Sequence, residues 1–258
     1  MNKILAVSGV VIKELYRRKD FYVLLTLTAL VTVCMGSVNF FNDSHIVRFL
    51  KEICLQLIWI SMLVIAVTTA ARQLPLEREN RTIFPLLAKP ISRGQVVLGK
   101  FLGCWLACGI ALLVFYVFFA LISASKTHTL PMAQYLQAGW MHWQMLGTVV
   151  AMTLLGSVVF TSPAENVTIT LIVTVGILFT AEYLHKLAGR MTEPSASILT
   201  VIYFAVPHLE FFNLQRLVVH EWPPVEWTYI GAATLYGAVY TAFFLLAACL
   251  VFRRKALN

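Results

Sequence analysis

Residues 72–101, RQLPLERENRTIFPLLAKPISRGQVVLGKF, are the longest polar interruption in the first half of a very apolar chain. The stretch carries six of the twenty Lys and Arg residues, whereas 59% of all 258 residues are hydrophobic and only 12% are charged. A soluble domain needs a surface on which about a quarter or more of the residues are charged. The composition therefore excludes a soluble globular protein and predicts a chain that is solvated by lipid.

Apolar runs of membrane-spanning length lie on both sides of this stretch. A hydrocarbon layer about 30 Å thick needs roughly 20 helical residues to cross it, and runs that are apolar on every face lack the alternation of barrel strands. The sequence predicts an all-α polytopic membrane protein that forms a single transmembrane domain over residues 1–258. The six predicted transmembrane helices cover about 21–41, 53–71, 101–122, 140–160, 163–185 and 229–252. The fifth has a clear start, because Ser162, Pro163 and Glu165 fit the N-cap, first-turn and third positions of a helix.

Two further segments are predicted to touch the membrane without crossing it. Residues 1–19 are predicted to form an amphipathic interfacial helix with its apolar side in the membrane surface, and a cleaved signal peptide is the alternative. Residues 187–228 contain apolar pieces that are too short to cross, so we expect helices that re-enter from the outer side and return. The apolar face of the first segment consists of Ile4, Leu5, Val11, Ile12, Leu15 and Tyr16.

The charge distribution predicts the orientation. With six spans and both termini cytoplasmic, fourteen Lys and Arg residues lie inside and six lie outside, in agreement with the preference of basic residues for the cytoplasmic side. Residues 72–100 then form a cytoplasmic hairpin. The net charge of +8 is explained by this orientation and by contact with anionic membrane lipids, and it requires no nucleic-acid partner.

Several motifs imitate catalytic or metal sites. The segment GQVVLGKF nearly matches the phosphate-binding loop G-x-x-x-x-G-K-[ST], but it ends at Phe101 in place of the hydroxyl residue, and no strand precedes it. Cys104 and Cys108 share a helix face, and Glu182 with His185 has the spacing of a di-metal site, yet both pairs lack the further ligands that such sites need. No convergent Ser, His and Asp set suggests an intramembrane enzyme. We therefore predict no catalytic residue, no metal and no cofactor bound by this chain.

The polar stretch resembles the cytoplasmic signature of ABC-2 type transporter permeases. That family shows an acidic residue and a Thr, two leucines, a Pro followed by Ser and Arg, and a Gly-Lys before the third span. The matching residues are Glu79, Thr82, Leu86, Leu87, Pro90, Ser92, Arg93, Gly99 and Lys100. Arg81 replaces the usual Gly, and Pro85 lies within the expected coupling helix. A second segment, YFAVPHLEFFNL at 203–214, resembles the part of the family that precedes the last span.

The resemblance implies the permease subunit of an ATP-driven ABC transporter in the bacterial cytoplasmic (inner) membrane, with export as the predominant direction. Two permease chains, identical or homologous, would assemble with two copies of an ABC ATP-binding subunit, which binds the ATP and Mg²⁺. This chain would have no ATPase site of its own. The alternative is a membrane scaffold or assembly subunit that moves no cargo.

The resemblance also implies roles for individual residues. Coupling to the ATPase is assigned to Glu79, Thr82, Ile83, Phe84, Leu86, Leu87, Pro90, Ser92 and Arg93. Within this set the apolar residues would fill a groove on the motor, and Arg78, Arg81 and Arg93 would surround them with charge. Gly99 and Lys100 mark the start of the third span, where the Lys100 side chain is long enough to snorkel to the surface. Pro207, Phe211 and Asn213 are assigned to an outer gate.

Overall fold

The structure is a computed structural model that describes residues 3–17, 44–80, 91–127, 131–188 and 206–255, together with residues 22, 23, 26, 29, 30 and 33. These parts of the chain contain helices and no strand. The all-α prediction is therefore confirmed for the described residues. The predicted first span at 21–41 and the first part of the predicted re-entrant region fall mostly outside them.

Eight α-helices and one short 3₁₀ helix make up the described fold. The helices are α1 (Lys3–Tyr16), α2 (Ser44–Ala71), α3 (Pro75–Glu79), α4 (Arg93–Thr127), α5 (Met132–Val159), α6 (Pro163–Ala188), α7 (Gln215–Val219) and α8 (Trp227–Arg254), and the 3₁₀ helix is Leu209–Phe212. Among the described residues, four segments are long and apolar enough to cross a membrane, namely Lys51–Glu79, Arg93–Ala124, Met132–Val159 and Trp227–Arg254. In α6 the stretch Pro163–Phe179 is a further apolar helix.

The long helices extend beyond the apolar runs that predict them. α4 begins eight residues before the predicted span, and α2 and α5 begin within segments that the sequence assigns to polar links. Hydropathy marks the part of a helix that lipid surrounds, whereas the backbone hydrogen bonds continue into the polar region. α6 begins at Pro163, where the turn residues predicted a helix start.

α5 is the central helix of the bundle. It packs against α2, α4, α6 and α8. In its apolar, membrane-spanning part 67% of the residues are buried in the protein, compared with 22% in that of α8. Trp105 of α4 and Trp143 of α5 stack with ring centroids 4.4 Å apart, and each indole N–H donates to the other residue's backbone carbonyl at 3.0 Å. Gly109 and Gly147 provide the space, because a Cβ at either position would lie within 3 Å of an indole nitrogen.

α1 packs along the start of α4 rather than standing apart from the bundle. A Cβ added at Gly99 or Gly103 would lie 2.7 Å from the Cβ of Val7 or Val11, respectively. Glycines four residues apart let two helices approach closely, as in many membrane helix pairs. The buried side of α1 is Val7, Val11 and Leu15, and Leu5 is 56% exposed. The packed face therefore shares Val11 and Leu15 with the predicted apolar face, and it includes Val7 in place of Leu5.

Asn166, near the start of α6, joins three helices. Its side-chain amide donates to the carbonyls of Thr153 at 3.1 Å and Ala71 at 3.4 Å, and its Oδ1 accepts a hydrogen bond from Thr170. The Asn166 side chain is fully buried. Polar side chains that hydrogen-bond across helices stabilise membrane bundles, because apolar lipid provides no hydrophobic driving force for helix association. The contact fixes α6 against α5 and the end of α2.

Candidate functional site: the base of the polar hairpin

The two arms of the polar hairpin lie within the described structure, and its tip does not. Residues 72–80 and 91–100 are described, and residues 81–90 are not. The proposed coupling residues Glu79, Ser92 and Arg93 can therefore be placed. Thr82, Ile83, Phe84, Leu86, Leu87 and Pro90 lie outside the described residues, as do the family departures Arg81 and Pro85.

The first arm is anchored to α4 by a partly buried ion pair. After α2 ends, the short helix α3 begins with Pro75, a residue suited to a first helical turn because its missing N–H is not needed there. The Nζ of Lys100 lies 2.7 Å from Oε1 of Glu77 and donates to Oε1 of Gln73 at 3.1 Å. The Lys100 side chain is 4% exposed and that of Glu77 is 25% exposed. The expectation that Lys100 snorkels to the surface is therefore wrong, because its charge is satisfied inside the protein.

The same arm contacts the carboxyl end of α5. Nη2 of Arg78 donates to the backbone carbonyl of Val158 at 3.2 Å, and Nζ of Lys255 donates to the carbonyls of Val158 and Val159, both at 2.9 Å. The last turn of a helix exposes carbonyls without intrahelical partners and carries a partial negative charge, which cations stabilise. Burial, and to a smaller extent the charge of Arg78, lowers the pKa of Lys255. Two cations from distant segments therefore cap one helix.

The second arm anchors the end of α8. Nη1 of Arg93 donates to the carbonyls of Phe252 at 2.8 Å and Lys255 at 2.9 Å, and its guanidinium carbon lies 5.6 Å from the centroid of the Phe252 ring. Ser92 begins α4 with a capping box, since its hydroxyl accepts from the Gln95 N–H while the Gln95 side chain accepts from the Ser92 N–H. This reciprocal pattern explains why α4 starts here.

Together these contacts form a set that we call the hairpin clamp, which consists of Glu77, Arg78, Arg93, Lys100 and Lys255. The clamp joins α3, α4, α5 and the end of α8 through charge-assisted hydrogen bonds, which are roughly twice as strong as neutral ones. Glu77 and Arg78 thus attach α3 directly to α4 and α5.

The clamp includes residues to which the sequence had assigned no contact. Glu77 contacts the spans, whereas Glu79, the acid that matches the family signature, is exposed. Lys255 had been counted only as a charge that sets orientation. The segment that imitates a phosphate-binding loop is part of the continuous helix α4. Its Gly99 packs on α1 and its Lys100 is paired with Glu77, so its backbone N–H groups do not form a phosphate loop.

The proposed gate residues lie near the opposite end of α8. The Tyr229 hydroxyl donates to the carbonyl of Phe211 at 3.1 Å, and the Phe211 and Tyr236 rings are 5.8 Å apart. Pro207 is buried, while Asn213 is exposed and its side-chain oxygen accepts a hydrogen bond from the Gln215 N–H. At 1.5 Å per residue, Tyr229 and the clamp contact Phe252 are separated by about 35 Å along α8. Phe211 therefore lies far from the clamp.

A buried aromatic in this segment had not been predicted. Phe212 is 2% exposed, and its ring packs directly on Gly237. A Cβ at Gly237 would lie 2.9 Å from the Cζ atom of Phe212. The glycine in the middle of α8 was the available signal, because a glycine within a long helix often marks a close approach. Phe212 holds the 3₁₀ helix against the bundle.

Comparison with protein-family models identifies the family of this chain. No curated protein matches the chain. A family model described as "ABC-2 family transporter protein" matches residues 22–257, which include the hairpin, every helix from α2 to α8 and the proposed gate segment. The helices of membrane-spanning length make the chain an integral membrane protein. The protein thus belongs to the ABC-2 transporter family, a family of membrane transport proteins.

Proposed function

We propose that this chain is the permease subunit of an ATP-driven transporter and that the hairpin at residues 72–100 receives the motion of a separate ATP-binding subunit. Two such subunits would bind and hydrolyse ATP with Mg²⁺, and a second permease chain, identical or homologous, would complete the path. Both termini and the hairpin lie on the cytoplasmic side of a bacterial inner membrane in this proposal. Transport runs outward, in the direction that predominates in the family.

The hairpin clamp is the observation that carries the proposal. A loop that only connects two spans needs no buried ion pair, yet Glu77 is bonded to Lys100 at the start of the apolar part of α4. Arg78 and Arg93 extend the same connection to α5 and α8. A push on the hairpin tip would therefore reach three membrane helices at once, as a coupling element requires.

The separation of the two ends of α8 supports the gate assignment. Phe211 contacts α8 near its start, and the clamp contacts α8 near its end. A rigid helix bonded at both ends can transmit a displacement between them. We propose that Pro207, Phe211 and Asn213 belong to the outer gate that this displacement opens.

The test begins with the isolation of the native complex. A tagged chain, solubilised from its own membranes in a mild detergent, should retain an ATPase subunit with a complete phosphate loop. Leu87→Glu at the hairpin tip should reduce that retention at least tenfold, while the chain still inserts in the membrane. Met132→Glu is the matched control, because it places the same charge on an exposed residue at the far end of α5, and it should leave retention unchanged.

A second measurement separates coupling from docking. In purified complexes that keep the ATPase subunit, Glu79→Ala should change the ATPase rate, because Glu79 is exposed and lies in the sequence between the clamp residue Arg78 and the hairpin tip. The proposal fails if no ATPase subunit is retained by the unaltered chain, an outcome that favours the membrane scaffold. It also fails if Leu87→Glu and Met132→Glu have the same effect.

A further inference from the structure

One backbone position at the end of the bundle opposite the clamp has a conformation that favours glycine, yet it carries a glutamate. Glu221 has φ of 53°, and among the described residues it is the non-glycine residue with a positive φ. It follows α7 and its C-cap His220, and the Trp222 N–H donates back to the Leu217 carbonyl at 3.2 Å. This is a Schellman ending, in which glycine is the usual residue at the left-handed position.

The Glu221 side chain makes a contact that glycine could not make. Its Oε1 lies 2.8 Å from Nζ of Lys51, and the two side chains are 47% and 8% exposed, respectively. Lys51 belongs to α2, so the ion pair joins segments 170 residues apart in sequence. A buried ammonium group is unfavourable without a charged or polar partner. The pair is therefore asymmetric, because the Glu221 carboxylate can rotate toward solvent whereas the Lys51 ammonium group remains buried.

The loop that carries Glu221 is also bonded to α5. The Gln137 side chain, which is 1% exposed, donates to the Val225 carbonyl at 2.8 Å and accepts from the Val225 N–H at 3.0 Å. The Gln134 side chain donates to the Trp222 carbonyl at 3.1 Å. Residues 220–226 thus lie against both α2 and α5, immediately before α8 begins at Trp227.

We propose that Lys51 and Glu221 form a latch, named here the loop latch, that holds residues 220–226 closed over the ends of α2 and α5. The backbone alone favours glycine at this position, and the ion pair across the bundle accounts for the carboxylate instead. Release of the latch frees the loop and admits water to Lys51. This inference is independent of the hairpin and of any ATP-binding subunit.

The test measures the loop and the lysine separately in the purified full-length chain. Hydrogen–deuterium exchange by mass spectrometry follows the amides of residues 220–226, and acetylation by a water-soluble amine reagent follows Lys51, with exposed Lys13 as the internal reference. Glu221→Gln should accelerate both loop exchange and Lys51 acetylation about tenfold, with Lys13 unchanged. Glu226→Gln is the matched control in the same loop, because the Glu226 carboxylate is exposed and accepts from Thr228, and it should change neither rate.

Glu221→Gly separates the ion pair from the backbone conformation. Glycine relaxes the left-handed position, so loop exchange that is as fast in Glu221→Gly as in Glu221→Gln reports the lost carboxylate rather than backbone strain. We expect it to behave like Glu221→Gln. The latch is overturned if the loop stays protected in Glu221→Gly, or if Glu221→Gln exposes Lys51 while the loop amides exchange at the original rate. The thermal midpoint shows that each variant is folded.

Discussion

Replacing Glu77 by glutamine tests whether the hairpin clamp stabilises the bundle. The change preserves the size of the side chain and removes the charge that lies 2.7 Å from Nζ of Lys100. Lys100 would stay buried, with the Gln73 side-chain oxygen at 3.1 Å as a neutral partner. The clamp therefore loses its ion pair while its packing is kept.

The magnitude follows from the burial of the two groups. Removal of one partner from a fully buried ion pair costs about 3–5 kcal/mol, and exposed pairs contribute about 1 kcal/mol or less. Glu77 is 25% exposed and Lys100 is 4% exposed, and Gln73 remains, so we expect a loss of about 2–3 kcal/mol. For a chain of this size the thermal midpoint should fall by roughly 5–10 °C.

The midpoint can be measured by intrinsic fluorescence, since the chain has six tryptophans. Glu79→Gln is the matched control on the same short helix, because Glu79 is exposed, and its midpoint should stay within about 1 °C of the original. Adding Lys100→Met to Glu77→Gln should restore much of the loss, because a buried ion pair can often be replaced by apolar groups. Equal midpoints for Glu77→Gln and Glu79→Gln would refute the reasoning.

Two other contacts give sharp predictions for the thermal midpoint of the purified chain. Gly147→Ala should lower the free energy of unfolding by about 1–3 kcal/mol, because the new Cβ would lie 2.9 Å from the Trp105 indole nitrogen. Gly176→Ala is the control, because a Cβ there would have nothing within 4 Å, and it should be neutral or stabilising by up to about 1 kcal/mol. The same loss in both variants would contradict the packing. Asn166→Ala should lower the free energy of unfolding by about 1 kcal/mol, because the carbonyls of Thr153 and Ala71 lose their hydrogen-bond donor. An unchanged thermal midpoint would show that this junction does not stabilise the bundle.

The clamp and the latch region bond opposite ends of α5. The clamp bonds the start of α4 and the ends of α5 and α8, and the latch region bonds the starts of α2 and α5. The two regions use different chemistry, since the clamp combines one ion pair with cation-to-carbonyl bonds and the latch region combines one ion pair with amide bonds. If the chain is a permease, variants that remove only the clamp contacts or only the latch-region contacts would show which end of the bundle moves during transport.

The sequence was sufficient to predict the fold class and the family. Helical spans follow from apolar runs, because lipid offers no hydrogen-bond partner and the backbone must satisfy its own groups within each helix. The start of α6 followed in the same way, since Pro163 and its neighbours act within a single turn. The family signature at Glu79, Leu87 and Lys100 is also local. These features depend on neighbouring residues and on the solvent, both of which a sequence displays.

The partners of the charged residues could be decided only by the tertiary structure. From the sequence, Lys100 could reach the membrane surface, but the turn after α2 places Glu77 beside it. Lys255 caps α5 and Lys51 meets Glu221 across the bundle, although nothing in the intervening sequence links them. Local patterns set where helices form, whereas charge pairing depends on how the helices pack. The polar stretch at 72–101 thus predicted a hairpin, and the packing of the bundle decided which of its charges hold the membrane helices.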